Sequence, residues 1–214
     1  MHASMSLAPA LAAIVRPAAL WWDGARIGAH DDSLAAEIAA VVARTVAAPP
    51  AERHQVREMY RRVGLDPTRT RPSNEALLRR VRRGDPFPRV NALVDAVNLC
   101  SLEWQLPYGV YDRAALSGPI SVRLGAEGEA YDGIRKDTVH VGGRLTSADA
   151  RGPFGNPTSD SARAMVTPAT AEALVVVYAP AGVGVAELGR VLDRTAARVA
   201  AAVGGRESAR WVSA

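Results

Sequence analysis

Apolar residues recur with helical spacing in the first half of the chain and with strand spacing in the second. Leu34, Ile38, Val41, Val42 and Thr45 form the stripe of an amphipathic helix. Asp32 or Ser33 is its expected N-cap and Pro49-Pro50 its expected stop. A second helix is predicted around Val56, Met59, Tyr60 and Val63, ending at Gly64 and carrying Arg57, Arg61 and Arg62 on its opposite face. The segment LDPTRTRPS (65–73) reads as an extended loop because of its two prolines. Ser73 is then placed to cap a helix with Leu77, Leu78 and Val81 inward and Arg79, Arg80, Arg82 and Arg83 largely outward, up to Gly84.

The next helix, from about Asn91 to Ser101, is unusual. Asn91, Asp95 and Asn98 fall within about 60° of one another on the helical wheel, and every other position from Val90 to Cys100 is apolar. A solvated stripe normally carries long charged side chains. An amide, a carboxylate and an amide suit groups that hydrogen-bond neighbouring backbone or line a pocket wall, and the pattern leaves both readings open.

Beyond Gln105 the period changes to two. Ile120, Val122 and Leu124 alternate with Ser121 and Arg123, and Val139 and Val141 flank His140, which is expected to face solvent or a neighbouring strand. The continuous run Ala173 to Val177 predicts a strand covered on both faces. Leu188, Val191, Leu192, Thr195, Val199 and Val203 mark a closing helix that Gly204-Gly205 ends. Helices, then strands, then a helix make an α+β fold rather than an alternating one. Residues 1–16 are expected as a loose tail, with 17–205 a single domain and 206–214 a second tail. The piece Ala18–Trp22 reads as an added strand.

Length and composition support this picture. The 214 residues are 48% hydrophobic and 22% charged, a globular profile large enough for a sizeable core. One cysteine, Cys100, rules out an intramolecular disulfide framework, and the four scattered histidines supply no zinc spacing, so neither a metal nor another cofactor is expected. No apolar run reaches the roughly 18 to 20 residues of a membrane span. A cytoplasmic protein is expected, although Ala10-Leu11-Ala12-Ala13 could imitate an export cleavage site.

Charge narrows the candidate partners. The net charge of +4 conceals a segment, 53–89, with eleven Arg against four acidic residues, or +7, while the rest of the chain is −3. A polyanion is the natural partner of such a face. The ratio of 25 Arg to one Lys also fits a compositional bias in which the charges simply solvate helices. Aromatic residues are only 5% of the chain, too few for a base-stacking platform, so bound nucleic acid would be held chiefly through phosphates.

Familiar catalytic patterns are absent. AGVGVAELG (181–189) has Glu187 where a dinucleotide-binding turn needs its third glycine, and too little chain follows for a second strand. There is neither a Gly-x-Ser-x-Gly elbow nor a Gly-rich loop ending in Gly-Lys-Ser/Thr. The loop GPFGNPTSDSAR (152–163) instead reads as a pocket lid, with Asp160 and Arg163 able to form a fixed fork for a carboxylate, ribose or phosphate, or else a self-paired surface turn.

Four motifs stand in order: YRRVGLDPTRTRPSNEALLRRV (60–81), VNALVDAVNLCSLEWQLPYGVYD (90–112), ISVRLGAEGE (120–129) and DSARAMVTPAT (160–170). Together they resemble the B3/B4 domain of the phenylalanyl-tRNA synthetase beta chain, and more closely free-standing proteins built around that domain, over roughly residues 54–180. The resemblance implies an α+β module that recognises aminoacyl-tRNA and, in the synthetase, hydrolyses tRNA carrying the wrong amino acid. A free-standing copy would edit in trans. Asp95 and Asn98 match the Val-Asp-x-x-Asn positions that shape the domain's interior. Two editing groups differ: the synthetase's Pro-Leu-His-Ala-Phe-Asp is here Pro107-Tyr108-Gly109-Val110-Tyr111-Asp112, and its strand Glu falls among Val175, Val176 and Val177.

An aminoacyl ester is already activated, so hydrolysis needs mainly positioning and polarisation. Asn98 and Asp160 are expected to orient the aminoacyl group or a water, and Arg163 to bind ribose, phosphate or carbonyl. Asp95, Tyr108, Ser161 and Thr167 are expected to line the substrate pocket. Arg57, Arg61, Arg79, Arg80, Arg82 and Arg83 are expected to hold the acceptor stem of a tRNA. A noncatalytic tRNA-binding or amino-acid-sensing module is the competing expectation, and a scaffold whose arginine face docks an acidic protein is the third.

Overall fold

The computed structural model describes residues 4–28, 34–48, 54–135 and 137–214. Two four-stranded sheets, a short ribbon and five helices make up the architecture of the described residues. The strands are β1 (Met5–Leu7), β2 (Val15–Asp23), β3 (Tyr108–Asp112), β4 (Ile120–Leu124), β5 (Ala130–Asp132), β6 (Thr138–His140), β7 (Leu145–Asp149), β8 (Gly152–Gly155), β9 (Glu172–Pro180) and β10 (Arg206–Val212). The helices are α1 (Ala35–Ala47), α2 (His54–Arg62), α3 (Ser73–Arg82), α4 (Ala92–Trp104) and α5 (Val185–Val203). The first sheet runs β10-β2-β9-β3 and is antiparallel throughout. The second runs β1-β4-β7-β8, with β1 parallel to β4. The order of helices, strands and closing helix is the expected α+β class, distributed over two sheets rather than one.

Strand β9 lies between β2 and β3 and is buried at every position after Glu172. Its uninterrupted Leu174-Val175-Val176-Val177 run reflects this, because both faces are covered. Helices α4 and α5 pack against each other, α4 against β3 and α5 against β2 and β10. The second sheet is joined to the first by side chains. Tyr111 of β3 meets Phe154 of β8 edge-on, with ring centroids 4.8 Å apart, and the Tyr178 hydroxyl of β9 bonds Ser147 of β7 at 2.7 Å.

Both expected tails are corrected where they are described. Met5–Leu7 pairs with Ile120–Val122, and Met5, Leu11 and Val15 are buried. The segment is too short and alanine-rich to announce a strand, and it is ordered by pairing with a partner more than a hundred residues away. Ala18–Trp22 is a strand as expected and forms the middle of β2, fully buried beside β9. Residues 206–212 form an edge strand beside β2, with Arg210 pairing with Glu207 and Asp193 on the solvent side.

The expected caps and stops change too. Ser73 does not cap α3; Pro72 occupies that position and Ser73 is already helical. The Asp32/Ser33 cap and the Pro49-Pro50 stop lie outside the described residues. Asn91 does cap α4, its Oδ1 accepting from the Val94 amide at 3.0 Å. Gly64 at φ +77 closes α2, and a methyl group there would strike the Gly143 carbonyl, so both conformation and space require glycine.

Helices α1, α4 and α5 share an ionic cluster. Arg198 is only 2% exposed; its guanidinium donates to Glu37 at 3.0 Å and to the Cys100 sulfur at 3.4 Å, and forms an ion pair with Glu103 at 2.7 Å. Arg194 adds a second contact to Glu37. A buried cation stripped of its carboxylates carries its full desolvation penalty. The double change Glu37→Gln/Glu103→Gln is therefore expected to lower unfolding free energy by about 3 kcal/mol or more, read from urea denaturation, while Arg198→Met, which removes the charge itself, is expected to cost less.

Candidate functional site

A pocket of about 330 Å³ opens where α4, the edge strand β3 and the loops around Ile134 and Asp160 converge. Its wall is largely aliphatic: Val90, Val94 and Val97 from α4 and its approach, Val110 from β3, and Ile134, Met165 and Val166 from the facing loops. The polar lining is Asn91, Asn98, Tyr108, Arg135 and Asp160. Exposure fixes its depth. Val90 at 58% and Met165 at 39% form the mouth, whereas Val97, Tyr108, Val110 and Val166 are buried at the floor.

Beside this pocket lies an open arginine cleft of about 700 Å³, lined by Arg71, Arg79, Arg80 and Arg83 together with Ser73, Ala76, Leu77, Pro88, Thr158 and Asn98. A second cleft of about 340 Å³ shares Arg71, Arg79 and Arg83 and adds Arg57, Arg82 and Glu75. Asn98 thus borders the aliphatic pocket and the larger cleft at once. Among the described residues it makes no side-chain hydrogen bond, so its amide is available to a ligand at the junction.

The polar stripe of α4 therefore divides. Asn91 caps the helix, and Asp95, 1% exposed, accepts from Arg89 Nε and the Val90 amide, each at 2.7 Å. These two hold the helix start; Asn98 lines both depressions with its amide uncommitted among the described residues. Tyr108 presents its ring to the pocket while its hydroxyl bonds Thr195 Oγ1 at 3.2 Å, and burial pushes its pKa well above the ordinary phenol value.

Arg163 does not take the place expected of it. Its guanidinium forks onto the Asp149 carboxylate, at 3.0 and 3.1 Å, and donates to the Ala115 carbonyl at 3.1 Å, away from the pocket lining. Burial tends to raise the Asp149 pKa. Hydrogen bonds from Arg163 and the Ser117 and Arg151 amides outweigh it and hold the carboxyl below its usual value. Ser161 caps the short turn Ala162–Ala164, and Thr167 closes a turn with Ala169 and Thr170, so neither lines the pocket.

The loop expected as a lid is pinned. The Tyr60 hydroxyl donates to the Pro157 carbonyl at 2.9 Å, Tyr131 to the Ser159 carbonyl at 2.5 Å, and Asn156 Oδ1 accepts from the Thr158 and Ser159 amides. This places Asp160 in the wall as a fixed group. Its negative charge helps raise the pKa of Tyr111, Tyr131 and Tyr178, after burial in each case.

Gly109 and Tyr111 lie on the face of β3 opposite Tyr108 and Val110. The Tyr111 ring crosses over Gly109 and also lies against Gly155, and a methyl group at either glycine would overlap the phenol. Its hydroxyl bonds Tyr178 at 3.0 Å, and Tyr178 bonds Ser147. Directly across the ladder from Gly109 stands Val176. No ionisable side chain occupies either of those two positions.

The arginine face is also divided. Arg57 ion-pairs with Glu75 at 3.7 Å, Arg82 donates to the Thr45 and Ala48 carbonyls at the end of α1, and Arg61 is exposed on α2 away from both clefts. Arg80 donates to the Pro86 carbonyl at 2.6 Å and Arg83 pairs with Asp85 at 2.9 Å. Among the described residues Arg71 and Arg79 have no such partner. Arg71, one of the eleven arginines of the basic segment, and Arg135 are brought to the site only by the fold. The repetition of valine at 90, 94 and 97 was the available signal for the pocket wall, since Val94 and Val97 lie within about 60° of each other on the helical wheel.

The fold and site define an α+β domain with an aliphatic pocket beside a cationic cleft. A family model for the B3/4 domain matches residues 55–200, and the chain belongs to that family. In overall structure it is similar to an N-terminal fragment of the phenylalanyl-tRNA synthetase beta-subunit from Pyrococcus horikoshii, with a TM-score of 0.51 and 12% identity. That similarity covers 100% of this chain and 55% of the fragment, so this chain spans about half its length. A search of curated protein sequences finds no match. No helix of the described residues is long and apolar enough to cross a membrane, and no three His, Cys, Asp or Glu side chains among them gather as a metal site.

Two outcomes test this geometry. Gly109→Ala is expected to destabilise the protein by about 2 kcal/mol or more through overpacking against Tyr111, read as a lowered melting temperature. Because the folded-state pKa of Asp149 is depressed, its stabilising contribution is present above the ordinary carboxylate pKa near 4 and lost as pH falls through the lower folded value. Arg163→Gln is therefore expected to flatten the dependence of stability on pH below about 4, measured by denaturation at successive pH values.

Proposed function

We propose that this protein recognises aminoacyl-tRNA and hydrolyses mischarged tRNA in trans. One observation carries the reading: Asn98 borders both the arginine cleft and the aliphatic pocket. A charged tRNA end presents phosphates and an aminoacyl ester a few ångströms apart, and the two depressions offer matching chemistry side by side. Arg71, Arg79, Arg80 and Arg83 take the terminal phosphates, and the aminoacyl group enters the pocket. Family membership and the fold shared with part of a tRNA synthetase subunit support this assignment.

At the junction, the Asn98 amide hydrogen-bonds the terminal ribose or the ester carbonyl. Asp160 accepts a hydrogen bond from the aminoacyl group or from a water directed at the ester. Hydrolysis then draws on orientation and the intrinsic reactivity of the ester, with the terminal ribose hydroxyls sharing the placement of water. Arg163 acts on this site only indirectly: with Asp149 it fixes the turn that follows Asp160.

A noncatalytic binding module remains the second reading, favoured by a specific feature. Gly109 and Val176 stand opposite each other without an ionisable side chain, and among the described residues Asp160 is the sole carboxylate in the pocket lining.

Deacylation of a panel of correctly and incorrectly charged tRNAs decides between them. Selective hydrolysis, reduced on the order of a hundredfold by Asn98→Ala, is the expected result; salt-sensitive tRNA binding without hydrolysis establishes the binding module. Arg79→Glu/Arg83→Glu is expected to weaken tRNA binding by on the order of tenfold and to reduce its salt dependence. Unchanged binding would remove the arginine cleft from the interface.

A further inference from the structure

Two polar atoms bordering the floor of the aliphatic pocket are already engaged. Tyr108 Oη bonds Thr195, and Asn91 Oδ1 holds the Val94 amide at the start of α4. Between them the floor is Val97, Val110 and Val166, all under 10% exposed. A ligand hydroxyl buried there would give up its water without a matching partner, a penalty that an apolar side chain avoids. The ionic groups of the lining are Asp160, on the pinned loop, and Arg135, exposed beside the half-buried Ile134. The volume of about 330 Å³ accommodates a leucine-, methionine- or phenylalanine-sized group and does not by itself exclude tyrosine.

From these placements we infer that the pocket selects an α-aminoacyl group with an unhydroxylated apolar side chain, its ammonium facing the Asp160 carboxylate and its side chain seated among Val97, Val110 and Val166. The inference rests on the pocket being the aminoacyl site and adds the chemical class of the group it admits. Selection against hydroxyl is moderate, because an apolar wall rejects an added hydroxyl through the lost hydration and not by a clash. Selection for the amine is electrostatic: an ammonium beside a carboxylate in a partly dry pocket gains what an acylated nitrogen lacks.

The test measures binding alone, so that it is independent of hydrolysis. Adenosine analogues carrying leucine, methionine, phenylalanine, tyrosine or threonine through a non-hydrolysable 3′-amide, together with N-acetyl-leucine on the same scaffold, are titrated calorimetrically into the full chain. The phenylalanyl analogue is expected to bind about 10- to 100-fold more tightly than the tyrosyl analogue. The leucyl and methionyl analogues should likewise exceed the threonyl one, and acetylation should weaken leucyl binding by on the order of tenfold or more. Val97→Thr and Val166→Thr, with melting curves to confirm folding, should each narrow the phenylalanyl-to-tyrosyl ratio. Equal or tighter tyrosyl binding overturns the inference while leaving the pocket as an aminoacyl site. If no analogue binds although charged tRNA does, the aminoacyl assignment itself fails, and this inference with it.

Discussion

The pairing of β2 with β9 is the constraint on which the other elements depend. Nine residue pairs run from Val15↔Pro180 to Asp23↔Glu172, and the middle of both strands is fully buried. Such a pair is unstable in isolation because each strand has two apolar faces to cover. Helices α4 and α5 cover one side, while Tyr111, Phe154 and Tyr178 bring the second sheet to the other. β3 then forms the outer edge, and the pocket lies where that edge meets α4. The position of the candidate site thus follows from how the central pair is enclosed.

Buried polar groups give this enclosure its particular geometry. The hydroxyl series Tyr111–Tyr178–Ser147 joins the two sheets, Arg163–Asp149 fixes the turn that follows Asp160, and Arg198 gathers carboxylates from α1 and α4. Each is satisfied only in one arrangement of its neighbours, since the cost of an unmade buried hydrogen bond exceeds the modest gain from one that forms. Residues with catalytic character in the sequence have consequently been used for construction. Asp95 and Arg163 are the clearest cases. The pocket and cleft are lined by an amide, a carboxylate and a set of cations around an aliphatic hollow.

Those lining groups suit recognition more plainly than acid–base chemistry. Asn98 cannot titrate, and Asp160 occupies a fixed wall rather than a moving lid. A site of this kind would owe its rate to orientation, with the substrate supplying an activated bond. The division of the arginine face supports the same view of the cleft. Arg57 and Arg82 anchor neighbouring backbone and side chains, whereas Arg71 and Arg79 project into the depression that Asn98 borders.

The sequence by itself determined the helical stripes, the doubly covered strand and the apolar surroundings of Asn91, Asp95 and Asn98, because periodicity and capping are local properties of the chain. It also located the cationic segment and the family motifs. Only tertiary structure decided that Met5–Leu7 and Arg206–Val212 are strands, since both are stabilised by partners remote in sequence. It also separated Asn98 from Asp95 and Asp160 from Arg163. Residue type shows which atoms can bond; whether those atoms face a pocket or an internal partner depends on how distant segments pack, and no spacing along the chain encodes that distance.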